Sequence, residues 1–108
     1  MTEADQTFGR AISQARKALG MSQKELASRI LREDDEPISP QYLNDIEHDR
    51  RSPSSDRMVQ QFADVLNIKT DRLYYLAGRF PADVRLNKLS EAQFTEAMLA
   101  FRAPPKKR

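Results

Sequence analysis

The stretch Ile38-Ser39-Pro40-Gln41-Tyr42-Leu43-Asn44-Asp45-Ile46-Glu47-His48-Asp49-Arg50-Arg51 concentrates the side chains with usable chemistry. Gln41 and Asn44 each carry one donor group and one acceptor, the combination that bidentate reading of an adenine edge requires. Catalytic chemistry is poorly supplied by comparison. His48 is the single histidine, Cys is absent, and three glycines cannot build a phosphate-cradling loop. No carboxylate pair is backed by a nucleophile, so neither enzymatic activity nor a cofactor is expected. His48 is better explained as a helix-end residue facing the C-terminal dipole than as a metal ligand or base, and no metal site is expected.

The surrounding pattern is helical. Phe8, Ile12, Ala15 and Leu19 recur at helical spacing and Gly20 stops the run, which predicts a helix over about 6–19. Ser22 with Glu25 forms a capping-box pattern ahead of Leu26, Ala27, Ile30 and Leu31, predicting a second helix over about 23–32. The acidic run Glu33 to Glu36, followed by Pro37, opposes the helix dipole and lacks a donor, so it reads as a loop. Ser39 as N-cap and Pro40 at the first position open a short third helix, about 40–48, with Leu43 and Ile46 inward. Ser55 caps a fourth helix that buries Val59, Phe62, Ala63 and Leu66, and Thr70 caps a fifth over about 71–77, stopped at Gly78. Adjacent Tyr74 and Tyr75 cannot both face inward. Ser90 and Gln93 then cap an amphipathic segment over about 90–102 that carries Phe94, Ala97, Met98 and Phe101 on one face. Residues 1–78 thus read as an all-α domain and 79–108 as an extension ending in the basic, disordered "APPKKR".

Composition narrows the setting. With 108 residues, 39% hydrophobic and 31% charged, the chain suits one small helical domain with a modest core. Its apolar runs are too short to span a membrane and "MTEADQ" is no leader, so a cytoplasmic protein is expected. Residues 1–78 hold 11 Lys and Arg against 13 Asp and Glu, whereas 79–108 hold 7 against 3. Any binding of nucleic acid by the front part must therefore use placed charges and not a bulk field.

Two short successive helices, the second opening with Ser-Pro and exposing polar residues, suit a helix-turn-helix whose second helix enters the major groove. With "RKALGMSQKELA", "ISPQYLNDIEHDRRSPS" and "FADVLNI" in this order, residues 6–78 resemble the Cro-like repressors, the xenobiotic-response-element family of helix-turn-helix regulators. The resemblance implies a five-helix, lambda-repressor-like fold that binds double-stranded DNA. It puts Pro40, Gln41, Asn44 and Asp45 at the base edges, Asp45 as an acceptor for a cytosine amine or an excluding anion and Pro40 as an apolar contact. Gln23, Tyr42, Arg50 and Arg51 fall at phosphate-contacting positions, which fix register without reading sequence. Arg16 and Glu47 match an ion pair that ties the first helix to the end of the reading helix.

Departures from the family pattern are informative. The turn ahead of Ser39 is enlarged and acidic, and either swings clear of the duplex to limit non-specific binding or serves a protein contact. His48-Asp49 replaces the usual Asn-Gly, so Asp49 must take a left-handed conformation. The face formed by Phe94, Met98 and Phe101 can fold back on its own domain or pair with a second subunit; two-fold DNA sites in the family favour a homodimer. The reading is a sequence-specific transcriptional repressor. The alternative is a protein-interaction module or antitoxin that keeps the fold and uses the acidic loop or the last helix to hold a protein partner.

Overall fold

A computed structural model describes residues 6–81, 83–84 and 90–102. The basic end 103–108 lies outside them. Helices α1 (Phe8–Ala18), α2 (Gln23–Ala27), α3 (Pro40–Glu47), α4 (Asp56–Leu66), α5 (Thr70–Ala77) and α6 (Glu91–Arg102) follow in chain order. The architecture is all-α; the strand-like pairing among the described residues is an isolated antiparallel bridge between Leu31 and Pro37.

Local signals set most boundaries. The hydroxyls of Thr7, Ser22, Ser39 and Ser55 accept from the amides of Arg10, Glu25, Tyr42 and Met58, each satisfying one orphan donor of a first turn. At the other end of α1, Met21 N–H bonds Arg16 C=O at 3.0 Å and Gly20 N–H bonds Lys17 C=O at 3.0 Å, a Schellman closure around Gly20 at φ 72°. The same closure ends α3, where Asp49 takes φ 60° and Arg50 N–H reaches Asp45 C=O at 2.8 Å.

Four expectations need correction. Helix α2 ends at Ala27 and not near residue 32, because the chain turns into a hairpin whose neck is closed by Ile38 N–H to Ile30 C=O at 2.9 Å. Leu31 leaves the apolar stripe: the Gln61 amide binds its N–H at 2.8 Å and its C=O at 3.0 Å, an arrangement no helical residue could offer. Thr70 is the first helical residue of α5 and not its cap; Lys69 holds the cap position without a side-chain bond, and Gln60 donates to the Thr70 hydroxyl at 3.2 Å. Leu19, lying past the end of α1, is 53% exposed.

The core gathers Ile12 from α1, Leu26 from α2, Leu43 and Ile46 from α3, Val59 and Phe62 from α4 and Leu73 from α5, all fully buried. Burying each such side chain contributes roughly 1.5–3 kcal/mol. Phe8 meets Phe62 edge-on, with ring centroids 5.9 Å apart. Helix α1 packs against α3, α4 and α5, while α2 packs on α3. Tyr74 is buried and Tyr75 faces solvent. Helix α6 is capped reciprocally by Ser90 and Gln93, buries no residue, and meets the segment after α5 where Phe101 stands edge-on to Phe80 at 5.4 Å.

Two contacts fix α3 against α1. Gly9 lies so near the end of α3 that a Cβ there would sit 2.4 Å from the Ile46 carbonyl oxygen and 2.6 Å from that of Glu47. The Arg16 guanidinium grips the Glu47 carboxylate through Nε at 2.6 Å and Nη2 at 3.1 Å, with both residues buried. Gly9→Ala is expected to destabilise the fold by about 1–3 kcal/mol, since backbone must shift to admit the methyl; thermal melts that match the unaltered protein would contradict this contact. Glu47→Ala strands a buried guanidinium and is expected to cost about 3–5 kcal/mol in urea unfolding. A loss under about 1 kcal/mol would mean that Arg16 reaches water on its own.

Candidate nucleic-acid interface

Helix α3 is held at its C-terminal end and presents its start. Pro40 and Gln41 are exposed, while Tyr42, Asn44 and Asp45 are half-buried at its rim. Ser39 and Pro40 explain why the helix begins here: the serine caps Tyr42 N–H at 3.0 Å, and the ring occupies a position whose donor would have no partner.

The polar side chains of this face are bonded to one another. Gln41 donates through Nε2 to Asp45 Oδ1 at 3.1 Å, and Arg50 donates to the same oxygen through Nε at 3.1 Å and Nη2 at 3.0 Å. Asp45 is thereby neutralised and Arg50 is drawn back along the helix. The Arg51 guanidinium lies over the Tyr42 ring, 4.5 Å from its centroid, so a cation and a phenol share one place beside α3. His48 Nδ1 lies 2.8 Å from the Asn44 carbonyl oxygen, as a helix-end residue should.

Gln23, the first residue of α2, points inward. Its Nε2 donates to Asn44 Oδ1 at 3.1 Å and to Glu47 Oε1 at 2.9 Å, and these two bonds use both amide hydrogens. A phosphate contact by this group requires exchanging one of them. Arg16 completes the set by donating to the Met21 carbonyl at 2.8 Å. The structure thus joins Arg16, Glu47, Gln23 and Asn44 into one network, and Gln41, Asp45 and Arg50 into a second. Phe94, Met98 and Phe101 belong to α6, away from both.

Two features escape sequence reading. Asp49 caps α1 from across the fold: its Oδ1 accepts from Gly9 N–H at 3.0 Å and its Oδ2 from the Thr7 hydroxyl at 2.6 Å. The acidic run is the tip of the hairpin, with Asp35 at φ 66°. There Arg32 pairs with Asp34 at 3.1 Å, and Arg57 of α4 pairs with Asp35 at 2.7 Å while donating to the Arg32 carbonyl at 3.1 Å. The Asp34 carboxyl is held below the usual carboxylate range, first by the Glu36 N–H that donates to it and then by Arg32. The hairpin is therefore anchored to α4. No signal of period or spacing announces either set of bonds.

Among the described residues no group of acidic or His side chains could hold a metal, and no helix is long and apolar enough to cross a membrane. No curated protein matches the chain. Among solved structures, the SinR protein/SinI protein complex contains a chain that is 22% identical, with 89% of this chain and 80% of that one covered and a TM-score of 0.49. A family model described as helix-turn-helix matches residues 12–73, which run from within α1 to within α5 and contain both polar networks of α3. More than half the chain lies within that match, and the protein accordingly belongs to the helix-turn-helix family of the xenobiotic-response-element type, whose members are DNA-binding regulators and not, in general, enzymes.

Proposed function

We propose that the protein is a homodimeric repressor that inserts the start of α3 into the major groove of each half of a two-fold site, the half-sites lying about one helical turn apart. The observation that carries this is the exposed start of a helix anchored at its other end, with the Gln41 and Asn44 amides beside the Tyr42–Arg51 stack. Gln41 and Asn44 read base edges, with Pro40 and Asp45 bordering the same contact. Tyr42 and Arg51 bind the backbone. Arg50 joins them when it exchanges Asp45 for a phosphate, whereas Gln23 keeps its bonds to Asn44 and Glu47. Residues 1–78 are the DNA-binding unit and 79–108 the pairing unit.

Fluorescence anisotropy on duplexes enriched from a random library, with scrambled competitor and at two salt concentrations, tests this reading. Saturable binding that survives competitor and weakens with salt is expected. Gln41→Ala should lose about 1–3 kcal/mol of discrimination at one base pair, whereas Arg51→Ala should weaken all sequences alike and lower the salt slope by about 1. A sequence-selective loss in Arg51→Ala would remove it from the backbone set.

A protein-partner reading draws on α6, where Phe94, Leu99 and Phe101 are 51%, 62% and 68% exposed. Exposed apolar side chains that join into one large patch mark an interface. In the homodimer reading a second α6 covers it, so sedimentation should give a dimer that Phe94→Ser with Phe101→Ser converts to monomer. A wild-type protein that sediments as a monomer would rule out a second α6 as the cover of this face.

A further inference from the structure

We infer that Gln23 is a positioning residue that sets the hydrogen-bonding polarity of Asn44, so that Asn44 offers the groove a donor and selects guanine over adenine. The inference rests on the proposed reading of bases by α3. It goes further by naming the base and the residue that chooses it.

An unrestrained asparagine suits adenine, because its Oδ1 accepts from the N6 amine while its Nδ2 donates to N7, with both atoms turned to the same edge. Asn44 is not unrestrained. Its Oδ1 accepts from Gln23 Nε2 at 3.1 Å, across the contact between α2 and α3. Oxygen and nitrogen lie at opposite ends of the amide plane, so a bond that draws Oδ1 toward α2 turns the NH2 end away from it. The outward group is then a pure donor. Guanine presents two acceptors on its major-groove edge, N7 and O6, whereas adenine presents one acceptor and a donor that would face the NH2 group.

Gln23 is itself prevented from turning over. Its second amide hydrogen goes to Glu47 Oε1 at 2.9 Å, and that carboxylate is fixed by Arg16 through Nε at 2.6 Å and Nη2 at 3.1 Å. A flipped Gln23 would set its carbonyl oxygen against the Glu47 carboxylate. The anion therefore selects the Gln23 orientation, which in turn selects that of Asn44. A buried charge pair thus dictates, two hydrogen bonds away, which atom meets the base.

Enrichment of duplexes from a random library by the full chain and its variants tests this. Asn44→Ala should flatten one base-pair column and so identify the position that Asn44 reads. In the wild type that column should favour guanine over adenine by about tenfold. Gln23→Met removes both donors while Arg16 still holds Glu47, and should bring guanine and adenine within about twofold at that column alone, with other columns retained. Gln23→Lys, which restores a donor, should recover the guanine preference, and an unchanged melting temperature separates the effect from misfolding. Adenine in the wild-type column, or a Gln23→Met column identical to wild type, overturns the inference and leaves base reading by α3 intact. A wild type that enriches no motif overturns both; an Asn44→Ala variant that flattens no column overturns the inference and the base-reading role of Asn44, and leaves that of Gln41 to its own variant.

Discussion

Arg16 and Glu47 form a buried charged contact, and the placement of α3 depends on it. A pair of this kind is weak as a source of stability, because taking two ions out of water offsets much of their attraction. Its value here is angular. Two parallel N–H donors meeting two carboxylate oxygens fix the rotation of α3 about its own axis more tightly than packing of Leu43 and Ile46 alone would. The remaining valences are used as well: the third guanidinium nitrogen binds Met21 C=O, Gln23 shares the carboxylate, and no buried side-chain polar atom among the described residues lacks a partner.

The second restraint acts at the same end of α3. Gly9 allows the first turn of α1 to touch the last carbonyls of α3, and Asp49, forced into a left-handed conformation just beyond, returns its carboxylate to the Gly9 amide and the Thr7 hydroxyl. The left-handed conformation costs a non-glycine residue roughly 1–2 kcal/mol, and two hydrogen bonds to α1, one of them charge-assisted at a helix N-terminus, offset it. Both restraints hold the C-terminal half of the helix. Its first turn, at Pro40 and Gln41, is exposed.

What the sequence makes legible follows the range of the interaction. Ser22, Ser39, Ser55 and the Gly20 stop act within a few residues of themselves, and the apolar stripes of α1, α3 and α4 repeat at helical spacing, so the all-helical family fold can be read directly. Arg16 and Glu47, 31 residues apart, were legible only through family resemblance. The bonds that define the site in detail have neither aid. Gln23 to Asn44 spans 21 residues, Gln61 to Leu31 spans 30, and Asp49 to Gly9 spans 40; each joins a common polar residue to a target that no period marks. The shortened α2 has the same origin. Ile30 keeps its place in the core, but Gln61 captures the backbone of Leu31 and ends the helix early.

The acidic hairpin fits the same economy of charge. Asp34 and Asp35 are matched by Arg32 and Arg57, and Asp45 by Arg50, so these three arginines are already engaged by neighbouring carboxylates. In a front domain whose acidic residues outnumber its basic ones, long-range attraction to a polyanion is weak. In the proposed function, non-specific affinity, which comes almost wholly from phosphate contacts, is therefore expected to be low. A regulator of the proposed kind would gain little from sliding contacts on arbitrary DNA and would draw more of its binding energy from base edges. In the proposed function that places weight on the orientation of the Gln41 and Asn44 amides, and it gives a physical reason for tying Asn44 through Gln23 to the carboxylate that Arg16 holds.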